Sequence, residues 1–164
     1  MAIKINTEKR IFTLETKHTM YQMQADTYGV LRHLWYGAKT GCDMSYLQDY
    51  PDVGFSGNPH DAGNDRTYSL DTLPLEYAGA GIGDFRVPAV EAVHADGSCA
   101  LDLRYYSYTV KQGKYAIAGL PALYAGEDEA ETLEVVLRDT ASAVEVTLKY
   151  GVLPELDVVT RCAE

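Results

Sequence analysis

A chain of 164 residues with 14 basic and 24 acidic side chains carries a formal net charge of −10. That length suits one domain, residues 1–164, with a core large enough to need neither metal nor disulfide. The charge repels polyanions, which argues against nucleic acid or an anionic membrane as partner and leaves a neutral ligand such as a sugar compatible.

Met1-Ala2-Ile3-Lys4-Ile5-Asn6 is not followed by an apolar run, and no stretch reaches the ~20 apolar residues that span a bilayer, so neither a leader nor a membrane span is expected. Cys42, Cys99 and Cys162 are odd in number and form no Cys-x-x-Cys pair. Three thiols without a framework fit a reducing, cytoplasmic location.

In chain order, residues 10–16, 18–25 and 30–36 alternate apolar and polar side chains, each closed by a polar or glycine break, and read as strands. From about 41 to 83 the alternation stops. Some forty residues rich in Asp, Gly, Asn, Pro and Tyr intervene, longer than the ~15-residue limit of ordinary loops, which marks a functional or disordered segment. Tyr46, Tyr50, Phe55, Tyr68 and Tyr77 argue for order, because disordered segments are poor in aromatics. An ordered insertion supported by its surroundings, another subunit among them, is the expectation.

Residues 84–88 and 88–94 read as strand, the latter running into the tight-turn signal Ala95-Asp96-Gly97-Ser98. Residues 101–110 return as a long strand. Leu133, Val135 and Leu137, then Val144, Val146, Leu148 and Tyr150, flank Arg138-Asp139-Thr140-Ala141-Ser142 as a hairpin, and residues 156–161 form a last strand with a bare edge, as if cut from something larger. No dozen residues carry a helical stripe. The fold class is therefore all-β, a large antiparallel β-sandwich with a long insertion, and a closed barrel is the alternative. The 13 Tyr, against 3 Phe and 1 Trp, suit half-buried strand faces as well as ligand surfaces.

Few motifs carry chemistry. Gly79-Ala80-Gly81-Ile82-Gly83 resembles a phosphate cradle, but no helix pattern follows to aim its amides at an anion, and no Gly-Lys-Ser/Thr appears. His18, His33, His60 and His94 lack ligand spacing, and Asp49, Asp52, Asp61 and Asp65 lack that of a calcium loop, so neither metal nor cofactor is expected. With 24 acidic residues, spacing alone selects no carboxylate pair for glycoside hydrolysis, so no catalytic residue is assigned.

A family resemblance adds to this. Val30-Leu31-Arg32-His33-Leu34-Trp35-Tyr36-Gly37, then Asp65-Arg66-Thr67-Tyr68-Ser69-Leu70-Asp71-Thr72-Leu73-Pro74 with Glu76-Tyr77, then Gly83-Asp84-Phe85-Arg86-Val87-Pro88-Ala89, Gly119-Leu120-Pro121-Ala122 and Glu129-Ala130-Glu131-Thr132-Leu133 stand in one order. They resemble the N-terminal domain of family 36 glycoside hydrolases, the microbial α-galactosidases. The resemblance implies an N-terminal supersandwich ahead of a catalytic barrel whose two aspartates release galactose from melibiose or raffinose. Neither aspartate's motif occurs here, so this chain is expected to be a non-catalytic portion of such an enzyme. The resemblance also implies a homo-oligomer, often a tetramer, whose N-terminal loop reaches a neighbour's active site, with Asp52, Phe55 and Arg66 facing substrate. Asp and Arg hydrogen-bond sugar hydroxyls, and a ring stacks on a sugar face. Against that, Arg66 could simply pin its own loop through Asp65 or Asp71. A free-standing carbohydrate-binding module and a purely structural oligomerisation domain remain the alternatives.

Overall fold

The computed structural model describes residues 1–48 and 58–164. The described residues form eight strands: β1 (Ile3–Asn6), β2 (Ile11–Glu15), β3 (Thr19–Ala25), β4 (Leu31–Ala38), β5 (Arg104–Gln112), β6 (Glu131–Arg138), β7 (Glu145–Leu153) and β8 (Val158–Ala163). They form two four-stranded antiparallel sheets, ordered β1-β2-β3-β4 and β5-β6-β7-β8. Helical geometry among the described residues is limited to single 3-10 turns at Ser45–Gln48, His60–Ala62 and Pro154–Leu156.

Both sheets turn their apolar faces inward. Phe12, Leu14 and Met23 of the first meet Leu133, Val135, Leu137, Leu148 and Tyr150 of the second in one core. The period-two reading of the late hairpin holds to the register: Leu137 pairs with Val146, Val135 with Leu148 and Leu133 with Tyr150. Phe12 packs edge-on against Tyr108, with ring centroids 5.3 Å apart, which bridges β2 and β5 across the sandwich. The first strand is sewn on from the far side, because the amides of Ala2 and Ile3 both donate to Glu131 Oε2 at 2.7 and 2.8 Å. The sheets have separate edges, so this is a sandwich and the barrel alternative does not apply.

Two sequence expectations need correction. Residues 84–94 form no strand; their only ladder contact is an isolated parallel bridge between Gly79 and Val90. The turn beyond them does form, with the Gly97 amide donating to the His94 carbonyl at 2.9 Å. Of the apolar side chains in this stretch, Phe85, Val87 and Val93 are exposed, while Val90 and Ala92 pack against the main core without joining a sheet. The irregular segment therefore runs on to β5 instead of ending near residue 83. Secondly, β1 is present although its four residues, Ile-Lys-Ile-Asn, are too few for period to reveal.

A buried carboxylate joins the two sheets. Glu76 follows a short stretch that lies along the free edge of β4, where its amide donates to the Leu31 carbonyl at 2.9 Å and the His33 amide donates to the Pro74 carbonyl at 2.7 Å. Its Oε1 accepts from Tyr21 Oη of β3 at 2.6 Å and Tyr150 Oη of β7 at 2.8 Å, and His33 Nδ1 of β4 lies 3.2 Å from Oε2. Arg161 of β8 completes the set, its Nη2 3.3 Å from Oε1 and donating to the Glu76 carbonyl at 2.6 Å. Burial alone would raise this carboxyl's pKa. The hydrogen bonds from His33, Tyr21 and Tyr150 and the Arg161 charge outweigh burial and hold it below its ordinary 4.5.

A depressed folded-state pKa contributes stability that is present above 4.5 and lost as the pH falls through the lower folded value. Glu76→Ala, which strands the buried Tyr150 phenol, the half-buried Tyr21 phenol and a guanidinium, should cost on the order of 3 kcal/mol or more. Urea denaturation at pH 7 reads that loss, and a pH series should show the variant losing less additional stability than the parent below pH 4.5.

Candidate sugar-contact site

Residues 58–77 supply most of a small second core, in which Val30, Ala62, Tyr68, Leu70 and Leu73 are buried with Tyr28, Leu75 and Ile82 against them. Three polar anchors hold this segment to the sandwich. The first is Asp26, 5% exposed at the end of β3. Its Oδ1 accepts from the amides of Tyr28 and Val30, both at 2.9 Å, and its Oδ2 accepts from Tyr68 Oη at 2.5 Å. Burial, then the hydrogen bond to that carboxylate, push the Tyr68 phenol well above its usual 10, so it stays a donor at any physiological pH.

The second anchor is Arg86. Its Nη2 donates to the carbonyls of Leu70 and Leu73 at 2.9 and 2.7 Å, while Asp84 receives Nε at 2.8 Å and Nη2 at 2.9 Å. A fixed fork of donors suits this task, since two backbone carbonyls and a carboxylate are satisfied by one planar group. The third anchor is Glu76.

The glycines that resemble a phosphate cradle act otherwise. A Cβ at Gly79 would stand 2.0 Å from the Leu101 carbonyl oxygen, so glycine is required where the chain passes the strand lead-in. Gly81 and Gly83 adopt positive φ of 75° and 96°, and no helix follows them. Among the described residues, no group of three His, Cys, Asp or Glu side chains is placed to hold a metal.

Of the three residues expected to face substrate, Asp52 and Phe55 lie outside the described residues. Arg66 is exposed. It stands at a turn closed by Asp65, whose Oδ1 accepts from the Thr67 amide at 3.0 Å and hydroxyl at 2.6 Å, and whose carbonyl accepts from Asn58 Nδ2 at 2.5 Å. Those hydrogen bonds from Thr67, the side chain's first, hold the Asp65 carboxyl below its ordinary value. Asp71, the other acid weighed as a partner for Arg66, accepts from the Ser69 hydroxyl. Two residues beyond Arg66 the chain is fixed by Tyr68. The crest is thus exposed while its footing is buried.

Comparison with known proteins accords with this architecture. A sequence profile of the glycosyl hydrolase family 36 N-terminal domain matches residues 29–164. The chain belongs to that family. The bifunctional alpha-galactosidase/sucrose kinase AgaSK of Mediterraneibacter gnavus is 55% identical over 161 residues, covering 98% of this chain and 17% of the relative. The solved galactosidase domain of AgaSK superposes with a TM-score of 0.96 at 54% identity, over 99% of this chain and 22% of that one. A variant of the family 36 α-galactosidase AgaA from Geobacillus stearothermophilus, solved in complex with raffinose, superposes with a TM-score of 0.84 at 38% identity, over 93% and 21% of the two chains. The chain thus spans about a fifth of the length of these relatives.

Sequence reasoning marked the segment and Arg66 but passed over the groups that fix it. Asp26 ends a strand ahead of Thr27-Tyr28-Gly29, the pattern of a carboxylate that caps a turn, and that signal was available. Nothing local marks the reach of Arg86 to Leu70 and Leu73, or of Arg161 to Glu76, across 13 or more residues.

Tyr68→Phe should cost ~1–3 kcal/mol by leaving Asp26 Oδ2 without its short donor. Thermal or urea unfolding measures the loss, and an unchanged midpoint would contradict the anchoring role.

Proposed function

We propose that this chain is the non-catalytic N-terminal domain of a longer, retaining α-galactosidase that hydrolyses terminal α-galactosides of the melibiose and raffinose type in the cytoplasm. The observation that carries this reading is the match of nearly the whole chain, at a TM-score of 0.96, to one part of a family 36 galactosidase structure. Within such an enzyme, the insertion of residues 41–83 reaches the active site of a neighbouring subunit in a homo-oligomer, where Asp52, Phe55 and Arg66 shape the outer sugar subsites. The fixed footing of residues 58–77 supports this role. A loop already held by Asp26, Arg86 and Glu76 loses little conformational entropy when it meets a ligand. A relative in complex with raffinose fits a substrate that extends beyond a single galactose. The acidic net charge of −10 places no electrostatic obstacle before neutral oligosaccharides.

Two experiments test the reading. The isolated chain should release no p-nitrophenol from p-nitrophenyl α-galactoside; turnover abolished by substituting one of its own carboxylates would overturn it. In the full-length enzyme, Arg66→Ala should raise KM for raffinose about tenfold, with little change for p-nitrophenyl α-galactoside, because the outer sugar alone loses its contact. A changed oligomer with unchanged kinetics would favour the purely structural role. Raffinose binding by the isolated chain would favour the free-standing module.

A further inference from the structure

Away from this segment the chain exposes a second apolar surface. Leu120, Leu123 and Tyr124 are 60%, 45% and 87% exposed in the arch between β5 and β6, and Leu156 is 60% exposed in the turn between β7 and β8. Tyr124 and Leu156 face a concavity of about 300 Å³ floored by buried Leu153, with Ala125 and Pro154 in its walls. Its remaining lining is acidic, supplied by Asp128, Glu129 and Glu155.

Both walls carry hydrogen-bonded turns. In the arch, the Gly126 amide donates to Glu129 Oε2 at 2.7 Å and the Glu129 amide to the Gly126 carbonyl at 3.2 Å. Across the concavity, the Pro154 carbonyl accepts from the Lys17 amide at 3.0 Å, and Asp157 accepts from the His18 amide at 2.7 Å and the Thr16 hydroxyl at 2.8 Å. Large side chains left open to water beside hydrogen-bonded turns mark an interaction surface.

We propose that this concavity docks a further stretch of the same polypeptide, one that inserts an apolar side chain and flanks it with Lys or Arg; the proposal rests on the reading of the chain as one domain of a longer enzyme. Three observations select this occupant. The volume sits at the bottom of the range for small-molecule sites and suits one or two side chains. Among the described residues, carboxylates are the only charged groups lining it, which favours a basic segment and disfavours a second copy of a chain whose net charge is −10. The relatives continue for roughly four to five times this length, so ample polypeptide exists to cover it.

The test uses the full-length protein encoded by the reading frame that contains this sequence, with Cys42→Ser, Cys99→Ser and Cys162→Ser and a single new thiol, Leu156→Cys or, in a second variant, Tyr124→Cys. Maleimide labelling, read by mass spectrometry, should be at least about tenfold slower in the native enzyme than after unfolding in urea, and equally slow across a hundredfold dilution. Adding Glu155→Lys should speed labelling at position 124. Native labelling as fast as in urea would overturn the proposal. Protection that vanishes on dilution would assign the surface to a second copy and overturn it too, and indifference to Glu155→Lys would overturn the basic character of the occupant. Absence of α-galactosidase activity in the same preparation would defeat the functional reading without altering the labelling result, so the two failures are distinguishable.

Discussion

Everything in this domain turns on a carboxylate placed where water cannot reach it. Glu76 sits between two sheets whose inner faces meet through apolar side chains, with further polar links where Ala2 and Ile3 donate to Glu131 and His18 to Asp157. Apolar contact alone is indifferent to small sliding movements. A buried anion with donors from β3, β4, β7 and β8 is not indifferent, since each donor must stay within hydrogen-bond reach of one carboxyl group. The desolvation cost of that charge is offset only in one relative placement of the sheets, which turns a generic sandwich into a defined one. The same residue anchors the long irregular segment, so the geometry of the sandwich and that of the segment are set together.

That coupling explains how a stretch with no regular structure keeps its shape. From residue 58 to β5 there are few ladder hydrogen bonds, and Arg86 donates to the backbone carbonyls of Leu70 and Leu73, the second of which also accepts from the Leu75 amide. Side chains do here what a sheet does elsewhere. Asp26 and Arg86 satisfy backbone groups, Glu76 gathers side-chain donors from both sheets, and Tyr68, Leu70 and Leu73 lie inside while Arg66 stays outside. A surface crest on a buried base is the arrangement that binding loops share, because selection can vary the crest without disturbing the base.

How much of this the sequence disclosed follows from range. Period-two alternation reports a local fact, namely which face of a strand is apolar, and β2, β3, β4, β6 and β7 were legible from it. Residues 84–94 alternate equally well and form no strand, because alternation says nothing about whether a partner edge is within reach. The Glu76 cluster was beyond such reading for the opposite reason: Tyr21, His33, Tyr150 and Arg161 are scattered over 140 residues and converge only after both sheets exist. The family resemblance, resting on motifs in order, singled out Glu76 and Arg86 as part of a pattern without revealing what either does. Asp52 and Phe55 rest on that resemblance alone.

The topology has a consequence for biosynthesis. Each sheet is a meander of consecutive strands, so neither must wait for the other to acquire its hydrogen bonds. The inner face of the first, with Phe12, Leu14 and Met23, nevertheless finds its cover only in β6 and β7, which emerge from the ribosome after residue 130. For the interval of translation between them, a nascent sheet stands with a bare oily side and an open edge at β4, the state in which chains associate wrongly. The stretch ending at Glu76 is translated before the second sheet and pairs with the start of that edge at Leu31 and His33, so the segment that carries the candidate site also covers part of what the growing chain leaves open.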